Sequence, residues 1–175
     1  MCVPYTRAVI RAGEWGCVMS DRTGQGVADR DEFAALVIRT DFGDEEAWTA
    51  LKGALSLPWG PEDFEPRVQV VDDPSWAGLT TADVLAAVSA DDELAVVFLA
   101  DAVALRTGQG ALLAVSTLTR EECESDEEFE AEGGEFRTTP AGIHEIHANL
   151  MIANLDFADF AEAAEAAPDG VFRSL

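Results

Sequence analysis

Apolar and polar positions divide this chain near Phe33. Before it no period persists, and Gly13, Gly16, Gly24 and Gly26 are mixed with Arg and Asp. Residues 1–32 are therefore expected to be a loosely structured N-terminal extension, and residues 33–175 a single domain.

From Ala35 the signal is regular. The run from Ala35 to Asp41 is apolar and rich in β-branched residues, and Asp-Phe-Gly-Asp stops it, which predicts a central strand. Asp44 is placed to cap a helix whose first turn carries Glu45 and Glu46, where acids suit the dipole. Ala47, Trp48, Leu51 and Leu55 fall at helical spacing as its buried stripe, and Pro58 and Gly60 end it. Arg67 to Asp73 is a second strand. Thr80 or Thr81 caps a second helix with Val84, Leu85 and Val88 inward, and Leu94 to Ala100 is a third strand ending at Asp101. Two strand–helix–strand passages in a row predict a parallel core with right-handed crossovers.

The pattern then changes. Ala111 to Leu118 follows through Thr-Gly-Gln-Gly, too short for a helical crossover, so its pairing is expected to be antiparallel. Glu121 to Glu135 carries nine acids and no base, and residues 119–135 are expected to be a mobile, solvated loop. Glu135 to Thr139 can return as a fifth strand. After Pro140, Ile143, Ile146, Leu150 and Met151 keep helical spacing, and a further helix sets Phe157 and Phe160 inward. Val171 and Phe172 are left as a terminal anchor. The predicted fold is α/β: a mixed sheet with a parallel βαβαβ half, then antiparallel strands and a helical C-terminus.

Charge narrows the partners. Thirty-four acids face eleven bases, a formal net charge of −23. Such a field repels phosphate backbones and anionic membrane surfaces, so neither nucleic acid nor membrane is expected as a partner, whereas a basic protein would be steered toward it. High charge also serves solubility alone. The three cysteines, Cys2, Cys17 and Cys123, are odd in number and hold no metal-ligand spacing, which fits a reducing bacterial cytosol. The first residues lack an apolar signal core and no apolar run is long enough to span a bilayer, so a cytoplasmic location is expected.

Val37-Ile-Arg-Thr-Asp-Phe with Asp44 and Ala47-Trp48 resembles the opening of an uncharacterised actinobacterial domain-of-unknown-function family, DUF6924-like. Val71-Asp-Asp-Pro-Ser-Trp-Ala-Gly-Leu-Thr, Phe98-Leu-Ala-Asp-Ala, Asn149 to Phe157 and Asp169-Gly-Val-Phe-Arg resemble its later segments. The likeness spans Leu36 to Arg173 and implies no activity.

One pattern carries candidate chemistry. Asp41, Asp72 with Asp73, and Asp101 each follow the C-terminal end of a predicted strand. In an open parallel sheet those ends share one edge, where ligands bind and carboxylates can hold a divalent cation. The plainer reading is that aspartates start turns and cap helices. Arg39 adjoins this edge, to orient an anionic ligand or to pair with an acid across the sheet. Trp76 follows a turn and could line a cleft, although partial burial is the simpler expectation. His144 and His147 are three apart on a helix, too close for the zinc-protease spacing, and are expected to flank the apolar stripe at the surface. No nucleophile motif, phosphate loop, metal site or cofactor signature is present. Two functions follow. The first is a non-enzymatic, immunity-like module binding a basic protein. The alternative is ligand or divalent-metal binding, or catalysis, at Arg39, Asp41, Asp72, Asp73, Asp101 and Trp76.

Overall fold

A computed structural model describes Val27 and residues 30–174, apart from residues 92, 107–109, 128 and 130–132. The expected N-terminal extension thus lies largely outside the described residues. Six strands form one sheet: β1 (Ala35–Arg39), β2 (Val68–Val71), β3 (Val96–Ala100), β4 (Leu112–Ser116), β5 (Glu135–Thr138) and β6 (Val171–Phe172). Their spatial order is β2-β1-β3-β4-β5-β6. β1 pairs in parallel with β2 and β3, β4 runs antiparallel to β3 and β5, and β6 is parallel to β5. Only β4 therefore opposes the other five.

Five α-helices are described: α1 (Glu45–Leu55), α2 (Thr81–Val88), α3 (Ala102–Arg106), α4 (Pro140–Met151) and α5 (Phe157–Ala166). Their starts are chemically marked. Asp44 accepts from the Ala47 amide at α1, and Thr80 and Asp83 form a capping box at α2. Thr139 accepts from the Gly142 amide at α4, where Pro140 fills the first turn.

Alternation along the strands divides the core. Ala35, Val37, Phe98, Ala100, Leu112, Ala114 and Phe136 pack with Trp48, Leu51 and Leu55 of α1 and with α4 and α5. Leu36, Ile38, Val97, Leu99, Leu113 and Val115 face the other way, onto Val84 and Val88 of α2 and onto Trp76. Successive strand residues point to opposite faces, so runs apolar throughout are required of strands covered on both sides. The chain leaves β1 in one direction to reach β2 and returns past β1 to β3. Right-handed crossovers in opposite directions put α1 and α2 on opposite faces.

The mixed α/β fold, the parallel half and the helical C-terminus agree with the sequence reading. Several details differ. A short helix, α3, precedes β4, although it makes no crossover. Val171 and Phe172 are a sixth strand, hydrogen-bonded through β5 to the sheet. Met151 is 47 % exposed rather than buried. Of the acidic stretch, Arg120–Glu122 forms a 3-10 turn, and Arg120 pairs with Asp126 and lies over the Phe129 ring. His144 corrects the expectation of surface histidines: it is 4 % exposed, held between α4 and the turn at Trp59.

Candidate functional site

The carboxyl-terminal edge of the sheet gathers the predicted residues, and register decides how they meet. Ile38 lies opposite Val71, so the next residues, Arg39 and Asp72, come level across β1 and β2. Arg39 also continues the Ala35–Val37 face, which turns its side chain under the start of α1. There its guanidinium is 2 % exposed. Nη1 donates to Asp72 Oδ1 at 3.1 Å, Nη2 to Glu45 Oε1 at 2.5 Å, and Nε to the Asp41 carbonyl at 2.9 Å. The Phe42 and Trp48 rings flank it, with Cζ at 4.1 and 5.0 Å from their centroids.

Asp72 is shared further. Trp48 Nε1 donates to its Oδ2 at 2.7 Å, and Lys52 Nζ stands 3.5 Å away. Burial disfavours the Asp72 charge, but the hydrogen bonds from Trp48 and Arg39 outweigh it and hold the carboxyl below its usual range. Burial likewise opposes the Arg39 charge, and the bonds to Glu45 and Asp72 overcome that, raising its pKa. The buried Arg39 charge is thus balanced by Asp72 and Glu45, which reach solvent.

Asp101 is held in the same way. Arg137 of β5 forks onto it at 2.8 and 2.7 Å, and the Ala104 amide donates to it at 3.0 Å, so the carboxylate also caps α3. Against its burial, these bonds lower its pKa. Asp41 accepts from the Gly43 amide at 2.9 Å and faces Arg106, whose Nε lies 3.1 Å from Oδ2 but off the hydrogen-bonding direction. Asp73 stands apart. Its carboxylate accepts from the Ser75 amide at 2.8 Å and starts the 3-10 turn Pro74–Trp76.

Arg39, Asp41 and Asp72 are thus brought together, and Asp101 lies beside them on the same edge. Trp76 is not part of the group. It is 1 % exposed inside the α2-side core, so it offers no indole surface to a cleft, and the expected partial burial is complete. Sequence reasoning missed Glu45, Phe42, Lys52, Arg106 and Arg137 as partners and read Trp48 as apolar core alone. An indole N–H and an arginine need acceptors when buried, and that requirement was the available signal. Among the described residues, no group of three or more His, Cys, Asp or Glu side chains is placed to hold a metal ion. None of the described helices is long and apolar enough to cross a membrane.

The fold and this edge define a mixed α/β domain in which Asp41, Asp72 and Asp101 at the strand ends are paired with its own arginines. The chain belongs to the family described as Domain of unknown function (DUF6924), whose model matches residues 34–175. No curated protein and no solved structure matches it.

Proposed function

We propose that this protein is a non-catalytic, acidic interaction module of the bacterial cytosol that binds a basic protein, in the manner of an immunity protein. One observation carries the reading. Among the described residues, every basic side chain except Arg67 is spent on an acid of the same fold: Arg30 on Asp91, Arg39 on Asp72, Lys52 on Asp72, Arg106 on Asp41, Arg120 on Asp126, Arg137 on Asp101 and Arg173 on Asp169. These bases are therefore not available to offset the remaining acids, and the chain as a whole carries a formal charge of −23. A field of one sign steers an oppositely charged partner and weakens with salt.

A groove of about 680 Å³ at the β5–β6 end suits such a partner. Glu135, Glu162 and Glu165 stand around small residues, Gly133, Gly134 and Ala161. Arg137 also lines the groove but is paired with Asp101, which leaves the three glutamates to Lys or Arg side chains of a partner. The alternative, ligand or divalent-metal chemistry at the strand ends, draws on Asp41 Oδ2, which lacks a hydrogen bond. It is the weaker reading because Asp72 and Asp101 are already committed to arginines.

Affinity capture from the native cell extract at low salt tests the proposal. A basic protein that is retained, elutes as salt rises, and is lost in a Glu135→Gln, Glu162→Gln, Glu165→Gln triple variant is the expected result. Retention of no basic protein overturns it. A rise in melting temperature with magnesium or manganese that Asp41→Asn removes would favour the alternative.

A further inference from the structure

The opposite, amino-terminal edge of the sheet holds a second constellation, independent of that reading. After α1 the chain makes a tight turn in which Trp59 and Phe64 exchange backbone hydrogen bonds of 3.1 and 2.9 Å. Gly60 and Asp63 take left-handed backbone conformations there, with φ of 71° and 53°. The Trp59 indole lies over the His144 imidazole, ring centroids 5.6 Å apart and planes 17° from parallel. Together with Phe33, Phe64, His147 and Met151 they line a cup of about 350 Å³. Phe33, Phe64 and Met151 are 48, 45 and 47 % exposed and form an apolar surface.

His144 makes this cup more than an apolar hollow. Its ring is hydrogen-bonded to the Leu55 backbone, and its Nε2 is buried without a partner. A neutral His144 ring with its proton on Nδ1, toward the Leu55 carbonyl, leaves Nε2 as an acceptor. Native folds seldom leave such an acceptor unpaired. A ligand that fills it must bring a donor. It must also present an apolar, planar body to aromatic walls, in a space sized for one or two fused rings. Glu65 and Arg67 also line the cup and carry opposite charges, so the lining favours neither sign, and the −23 charge of the chain disfavours an anion.

We propose that this cup binds a small uncharged aromatic molecule bearing a hydroxyl or ring N–H, which donates to His144 Nε2 in the imidazole plane and packs against Phe33, Phe64 and Met151. Nε2 is sealed from solvent, so side chains around the ring edge must give way for a donor to reach it.

Naphthol and its methyl ether, equal in shape and differing in the donor, test this on the full chain. Binding is followed by tryptophan fluorescence and by the histidine ring nitrogen resonances. Naphthol should bind roughly two- to tenfold tighter than the ether, the scale of one hydrogen bond, and should move the His144 Nε2 resonance. In His144→Phe the preference should vanish while the ether still binds. Equal affinity for the two probes, binding of neither, or a preference that survives His144→Phe overturns the proposal. If the variant does not fold, the preference and the resonance in the native chain decide alone. Zinc ion moving both histidine resonances where naphthol moves neither would make this a metal site, and the proposal would fail.

Discussion

Trp48 Nε1 and Arg39 Nη1 donate to the two oxygens of one carboxylate, Asp72, at 2.7 and 3.1 Å. The indole is 0 % exposed and the guanidinium 2 %, so Asp72 satisfies two buried donors on two different elements and ties α1 to the β1–β2 pair. One of the four aspartates that the sequence offered as candidate chemistry is thereby a structural joint. Its neighbour Asp73 caps a 3-10 turn and touches neither donor.

Asp72→Asn should accordingly destabilise the fold and Asp73→Asn should hardly do so. Losing the Asp72 charge leaves Arg39 facing Glu45, which is 73 % exposed and well solvated. Asp72 is itself 35 % exposed, which weakens the effect, so a loss of about 1–3 kcal/mol is expected in urea unfolding. Asp73 lies in solvent, so the loss for Asp73→Asn is expected to be clearly the smaller of the two. Equal losses would show that the Arg39 network contributes nothing special.

Asp101 and Arg137 should be energetically coupled. Their fork is bidentate and both side chains are about three-quarters buried, 25 and 22 % exposed. A double-mutant cycle with Asp101→Asn and Arg137→Met is expected to give an interaction energy of about 1–2 kcal/mol. Additive single effects would mean that Asp101 acts only as the cap of α3.

Acid should act first through the histidines. Burial, then the Arg30 and His144 charges, push His147 down to about 4 from an ordinary 6.5, with Asp31 opposing. His144 moves in the same direction, chiefly by burial. A folded-state pKa below the unfolded one means that the folded chain binds fewer protons. The associated stability is present above pH 6.5 and is lost as pH falls toward 4. Each pH unit in that window costs at most about 1.4 kcal/mol per histidine. The stability of His147→Gln relative to the native chain should therefore improve from about pH 7 to about pH 4.5 in paired urea titrations. A difference independent of pH would show ordinary titration. Below that window Asp72 and Asp101, whose pKa values are depressed, lose their stabilising charge in turn.

Gly142 should resist a change that helix propensity favours. A Cβ added there would run into Thr138 Oγ1 and approach Phe172 Cδ1 to 3.0 Å, because α4 starts hard against β5 and β6. Alanine is the better helix former by about 1 kcal/mol. Overpacking should outweigh that, and Gly142→Ala is expected to lower thermal stability by a net 1–2 kcal/mol or so. A stabilised variant would show that β6 yields easily.

Much of the candidate site was legible as position and little of it as bonding. Asp41, Asp72 and Asp101 were placed at strand ends by where the apolar runs stop, and they are there. Whether they are open to a ligand depends on Arg106, Arg39 and Arg137, which lie 65, 33 and 36 positions away. Trp76 failed as a surface candidate because turn residues before it say nothing of the α2-side core that closes over it. His144 was misjudged because the apolar stripe of α4 does not reveal the Trp59 turn that covers its neighbour.

Local pattern alone determined the first five strands, the principal helices, the two crossovers and the acidic character. Those rest on burial periodicity, capping and charge, which act over a few residues and leave a readable trace. Tertiary structure alone decided the partners: Arg39 with Asp72 through the β1–β2 register, Arg137 with Asp101 two strands across, Trp59 with His144 between α1 and α4. Charges and rings find one another through strand order and register, and a long-range pairing leaves no period in the chain from which it could be read.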